Sequence, residues 1–147
     1  MKLTKASLFG LIAVLELANA PKQQISTTDI ADKYGISTHH LAKVMRNLVH
    51  HGLAQAVRGV GGGYTFTGNL KRTTLLDVIQ IFENLESVLD MPNHFVTEGG
   101  PIIAELQSIT TEIDNLTKVV LETITLETAL KSAMRRSLPV GGDAAKP

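Results

Sequence analysis

Val57-Arg58-Gly59-Val60-Gly61-Gly62-Gly63-Tyr64-Thr65-Phe66 carries glycine at four of the five positions from Gly59 to Gly63. Residues 54–58 and 64–67 on either side read as short β stretches. Glycine takes the positive φ that tight turns need, so the run reads as a β-hairpin with a flexible tip. It is not a dinucleotide fingerprint. Tyr64 stands where the last glycine of that motif belongs, and no βαβ unit surrounds it.

Working upstream, Ser26-Thr27-Thr28-Asp29 has the form of a capping box with Asp in place of Glu. It predicts a short helix over 27–34 with Ile30, Ala31 and Tyr34 inward, closed by Gly35. Ser37 then caps a second helix over 38–51, ended by Gly52. Its apolar residues Leu41, Val44, Met45, Leu48 and Val49 form one stripe. The opposite face carries Thr38, His39, His40, Lys43, Arg46, Asn47 and His50. Cations there suit phosphates, and Asn, Thr and His can meet base edges. Alone, such a face is an ordinary solvated surface. A capped helix and short turn before it, and a glycine hairpin after it, make a winged helix-turn-helix the better reading. His39-His40 and His50-His51 are adjacent pairs with no i, i+4 spacing, so no zinc site is expected.

Composition sets the bounds. The chain has 147 residues and is 44% hydrophobic but only 4% aromatic, which predicts an aliphatic, mainly α core. Without cysteine it has no disulfide, no catalytic thiol and no thiolate-held metal or cluster. Net charge is zero, yet residues 1–72 hold nine Lys/Arg against three Asp/Glu, and residues 73–147 hold five against eleven. A basic front and an acidic rear suit a DNA-binding module joined to a regulatory or oligomerising one. Lys2, Lys5 and the apolar run 6–15, followed by Ala18-Asn19-Ala20, have the outline of a signal peptide. Glu16 interrupts the run and Pro21 would follow the cut. The better expectation is a core helix with Leu8, Leu11, Ile12, Leu15 and Ala18 on one face. No stretch approaches the ~20 apolar residues of a membrane span.

The rear half opens with Thr74-Leu75-Leu76-Asp77, a cap followed by a helix over 75–82 with Leu75, Val78, Ile79 and Phe82 inward. Residues 84–100 read as a loop, and Pro101 suits the first turn of the next helix. In that helix Ile102, Leu106, Ile109, Ile113, Leu116 and Val120 are spaced 4, 3, 4, 3, 4, a heptad seam. At ~1.5 Å per residue, 101–123 spans about 34 Å, too long to bury itself on a small domain. Packing within the monomer is the plain alternative; dimerisation is the better reading. A two-fold dimer would present two recognition helices to half-sites about 34 Å apart. Thr125 caps a last helix over 126–136, and 138–147 reads as a disordered tail. The expected units are a winged domain at 1–83, a regulatory loop at 84–100, and a dimerisation and C-terminal helix at 101–137.

Six stretches carry a family likeness: 1–5, 30–37, 40–44, 57–64, 74–79 and 124–126. Together they resemble the IscR/NsrR/CymR family of bacterial winged-helix regulators, over residues 1–134. The R-G-x-G-G-G-Y wing followed by T-L-L-D-V is the specific part. The resemblance implies a cytoplasmic homodimeric regulator of transcription, often a repressor, on a partly palindromic operator. It implies that Lys2, Thr4 and Lys5 face DNA, with Ser37, Thr38, His39, His40, Lys43, Arg46 and Asn47 of the recognition helix. Arg58, Gly59, Gly61, Gly62 and Tyr64 of the wing join them. Many members hold an iron–sulfur cluster with three cysteines before and at the start of the long helix. Here residues 89–105 have none; the second and third positions fall near Glu98 and Ala104, and Leu8 stands where some relatives place a further ligand. No cofactor is therefore expected. The resemblance is to cluster-free members, with a small-molecule or protein effector at 84–100. His94 is the one residue of that segment able to titrate near neutrality, and a solvated side chain is the simpler reading.

A rival function is a protein-interaction module that regulates a metabolic enzyme, with DNA binding secondary. Lys43, Arg46 and Arg58 favour the DNA reading. An enzyme is not expected, since no convergent nucleophile, base or metal motif is present.

Overall fold

α1 (Lys5–Asn19) runs through the centre of the core in a computed structural model that describes residues 1–138. The expected tail lies, from residue 139 on, outside the described residues. Thr4 caps α1, its hydroxyl accepting the Ser7 N–H at 3.2 Å. The helix buries Ser7, Gly10, Ala13, Val14, Leu17 and Ala18. The expected inward stripe is turned: Leu8 is exposed, and Leu11, Ile12 and Leu15 are half-buried at its margin. A helix that is apolar nearly all round has no single face for periodicity to mark. Close approach decides instead. A Cβ on Gly10 would stand 2.2 Å from Phe82 Cε2.

α2 (Thr27–Tyr34) and α3 (Thr38–His50) pack on each other as a helix-turn-helix, with α3 against α1. Ser26 accepts the Asp29 N–H at 3.0 Å, and Ser37 accepts the His40 N–H at 3.3 Å. Gly35 closes α2 in the left-handed region (φ 66°), where other residues are strained. Two expected inward residues face out. Tyr34 is exposed because its hydroxyl reaches Glu16 of α1, which also pairs with Lys33 at 2.7 Å. A tyrosine with a partner for its hydroxyl at the rim gains more there than in a dry core. Burial would raise the Glu16 pKa, but hydrogen bonds from Lys33 and Tyr34 outweigh it and hold the carboxyl below its usual range. Val49 is also exposed; at ~100° per residue it stands about 80° round the helix from Leu41, off the buried stripe. Leu41, Val44, Met45 and Leu48 are buried, in one cluster with Leu17, Ile30 and Leu126. Each such side chain contributes roughly 1.5–3 kcal/mol through burial.

β1 (Ala54–Val57) and β2 (Gly63–Phe66) form the antiparallel wing, with Ala54 opposite Phe66 and Val57 opposite Gly63. β1 ends one residue earlier than expected, which leaves Arg58 in the tip, and β2 keeps its expected length but starts and ends one residue earlier. The glycines serve two needs. Gly59 and Gly61 take positive φ (117° and 73°). Gly63 instead allows close approach, since a Cβ there would lie 2.6 Å from the Ile25 carbonyl oxygen. Ile25 and Tyr64 exchange two backbone hydrogen bonds at 3.0 and 2.9 Å, so the segment before α2 pairs with the wing.

α4 (Leu75–Phe82) starts with the reciprocal capping box, completed here rather than at Ser26: Asp77 N–H to Thr74 Oγ1 at 3.1 Å, Thr74 N–H to Asp77 Oδ2 at 2.9 Å. It buries Leu76, Val78 and Ile79; Leu75 and Phe82, expected inward, are half-buried at its edges. The segment expected as loop contains α5 (Asn93–Glu98). α6 (Gly100–Thr123) has Pro101 in its first turn. α7 (Leu126–Ser137) is capped by Thr125, which accepts the Thr128 N–H at 3.1 Å. The chain returns to its first half here. Leu75 N–H bonds Ile124 O, Leu126 N–H bonds Thr73 O (both 2.9 Å), and Leu126 is fully buried. Among the described residues the fold is mainly helical with one two-stranded sheet. No helix among the described residues is long and apolar enough to cross a membrane.

Candidate DNA-binding interface

Burial of Leu41, Val44, Met45 and Leu48 turns the other face of α3 outward. Thr38, His39, Lys43, Arg46, Asn47 and His50 are exposed along it. His40 is half-buried, its ring meeting that of Phe9 edge-on at 4.9 Å. The ion pairs among the described residues are Lys33–Glu16 and Lys131–Glu127. Lys2, Lys5, Lys43, Arg46 and Arg58 are in neither, and all five are exposed. Unpaired surface cations suit an anionic partner, because no internal bond must be broken to bind it.

Several candidate residues are used by the fold itself. The Ser37 hydroxyl caps α3, and the Thr4 hydroxyl caps α1 while donating to Glu83. Tyr64 packs against the core at the base of the wing. Arg58, Gly59 and Gly61 lie in the exposed tip, and Gly62 is half-buried because a Cβ there would lie 2.7 Å from Val57 O.

Two residues escaped the sequence reading. Val60 is wholly exposed at the wing tip, with nothing of its own chain to cover it. An apolar residue isolated among glycines was the available signal. Glu83 binds the start of α1, a contact with no local signature.

A profile of the Rrf2 family, described as iron-dependent transcriptional regulators, matches residues 3–132. The HTH-type transcriptional regulator BadM of Rhodopseudomonas palustris is 44% identical over 131 residues, covering 89% of this chain and 82% of its own. Among solved structures, T. potens IscR superposes with a TM-score of 0.74 at 26% identity, covering 96% of this chain and 94% of its own. CymR, the global cysteine regulator of B. subtilis, gives 0.73 at 26%, covering 90% and 98%. These relatives are regulators of transcription and not enzymes.

The donor set does not fit an iron–sulfur cluster, the cofactor that the resemblance noted above would otherwise suggest. Such clusters need soft thiolate ligands, and the chain has no cysteine. Leu8, Glu98 and Ala104 are all exposed, and only Glu98 offers a donor atom. Among the described residues no three His, Asp or Glu side chains converge. The winged fold, the outward α3 face and the match over nearly the whole chain agree: the chain belongs to the Rrf2 family of DNA-binding, winged helix-turn-helix transcriptional regulators.

Proposed function

We propose that the protein is a homodimeric repressor that reads a partly palindromic operator without an iron–sulfur cluster. The observation that carries the dimer is on α6. Ile102, Leu106, Ile109, Ile113, Leu116 and Val120 are 40–75% exposed, so their own chain does not cover the seam. A second α6 has the matching stripe and would place two α3 helices on one face of DNA. Lys43, Arg46 and Asn47 then read one half-site, and Lys2, Lys5 and Arg58 hold the flanking backbone. Selection from random duplex DNA tests this. Two symmetric half-sites about 34 Å apart are expected, and failure to enrich any sequence would overturn the reading.

The segment 84–100 is where an effector, small molecule or protein, would act. A cleft of about 580 Å³ opens between it and the N-terminal arm, lined by Lys2, Thr4, Glu83 and Glu86 among others. A ligand there shifts the recognition helices only by binding one arrangement better than the other.

Iron and nitric oxide are not the signal in this reading. Anaerobic reconstitution with iron and sulfide should leave the protein colourless and its operator affinity unchanged. Stoichiometric iron and sulfide with visible absorbance would refute the cluster-free assignment.

A further inference from the structure

Glu83 joins two helix ends that lie 79 positions apart in the chain. It follows α4 directly, in extended conformation, its N–H bonded to Ile79 O at 3.1 Å. Its Oε2 accepts three hydrogen bonds from the start of α1: the Thr4 N–H at 2.8 Å, the Thr4 hydroxyl at 2.7 Å, and the Ser7 hydroxyl. Ser7 is wholly buried. One residue earlier, Phe82 covers Gly10. The end of α4 is thus fastened to α1 at two successive turns. Burial opposes the charge on Glu83, but the bonds from Ser7 and Thr4 prevail and hold its pKa below the usual value.

Exposed Lys2 and Lys5 flank the fastened residue Thr4. Lys5 lies four positions before Phe9, on the same face of α1. The Phe9 ring touches His40 in the first turn of α3, so this face adjoins the end of the recognition helix that meets base edges. Without Glu83 the Thr4 N–H and hydroxyl lose their acceptor and the Thr4 cap is no longer tied to α4, and an unfastened terminus carries its lysines away from any fixed place.

We infer that Glu83 is a positioning residue for DNA binding: its carboxylate fixes the N-terminal arm so that Lys2 and Lys5 meet the DNA backbone beside the recognition helix. The inference rests on the DNA-binding reading above. It also gives 84–100 a route to the interface. That segment begins next to Glu83, and Val88 N–H is bonded to Asp114 Oδ1 of α6 at 2.9 Å.

The sign of the effect separates positioning from charge alone. Removing an acid near DNA should tighten binding by simple electrostatics; loss of positioning should weaken it. The test measures the affinity of the selected operator duplex against salt for wild type, Glu83→Gln, the pair Lys2→Ala with Lys5→Ala, and all three changes together. Glu83→Gln should weaken binding and flatten the salt slope by roughly one to two units, since each phosphate contact accounts for about 0.9. In that background the lysine changes should cost less than about twofold more, the scatter of independent sites. A stability defect alone would leave the lysine cost undiminished. Equal lysine cost in both backgrounds, or Glu83→Gln binding as tightly as wild type or tighter, would overturn the inference. Circular dichroism checks folding. Should Glu83→Gln not fold, Ser7→Ala removes one of the three bonds, and the same cycle on it decides the matter. Wild-type protein that binds no DNA at all would sink the DNA-binding reading instead.

Discussion

Ile109→Asp together with Leu116→Asp is expected to turn the protein into a folded monomer. The structure makes this sharper than the spacing alone could. Both side chains are exposed in the single chain, so the changes leave the core untouched. In a two-fold dimer each substitution appears twice, which puts four carboxylates into one apolar seam. An unpaired polar group left in a dry site costs roughly 2–7 kcal/mol, and a charge more. The interface should not survive at micromolar concentration. Sedimentation would report the halved mass, and circular dichroism the retained helices. Operator affinity should fall with it, because the two half-sites are then bound by separate molecules. An unchanged dimer would remove the seam from the interface.

Lys43→Ala and Arg58→Ala should both weaken operator binding, but in different ways. Lys43 stands on the outward face of α3, which in the proposed complex would meet base edges. Its loss should relax preference at one base pair, by roughly 1–3 kcal/mol if it makes a specific contact. Arg58 sits just past β1, in the wing tip, where in the proposed complex a cation would meet phosphate or the minor groove. Its loss should weaken all sequences alike and lower the salt slope by about one unit. Affinities over a panel of single-base operator variants at several salt concentrations resolve the two patterns. Wild-type binding by both variants at moderate salt would contradict the assigned interface.

The features legible in the sequence are those whose cause lies within a turn or two of the chain. Ser26, Ser37, Thr74 and Thr125 each bond an N–H three residues on, and all four helix starts were readable from that spacing. The stripe of α3 and the seam of α6 repeat at helical period, so their faces could be assigned without knowing what they pack against. The glycine run announced a hairpin because turns constrain φ locally.

Tertiary structure decided the rest, wherever two distant segments had to meet. α1 is apolar nearly all round, so only the approach of Phe82 to Gly10, and of other neighbours, selected its buried face. Tyr34 turned outward to a carboxylate 18 residues away. Gly63 is required by the backbone of Ile25, not by its own φ. The same holds for the interface. The exposed polar face of α3, proposed here to read DNA, was legible because one helix carries it. The fastening of the N-terminal arm was not, because it depends on Glu83 reaching Thr4 from 79 positions away. A hydrogen bond across that distance exists only after the intervening helices have packed, and no local pattern encodes it.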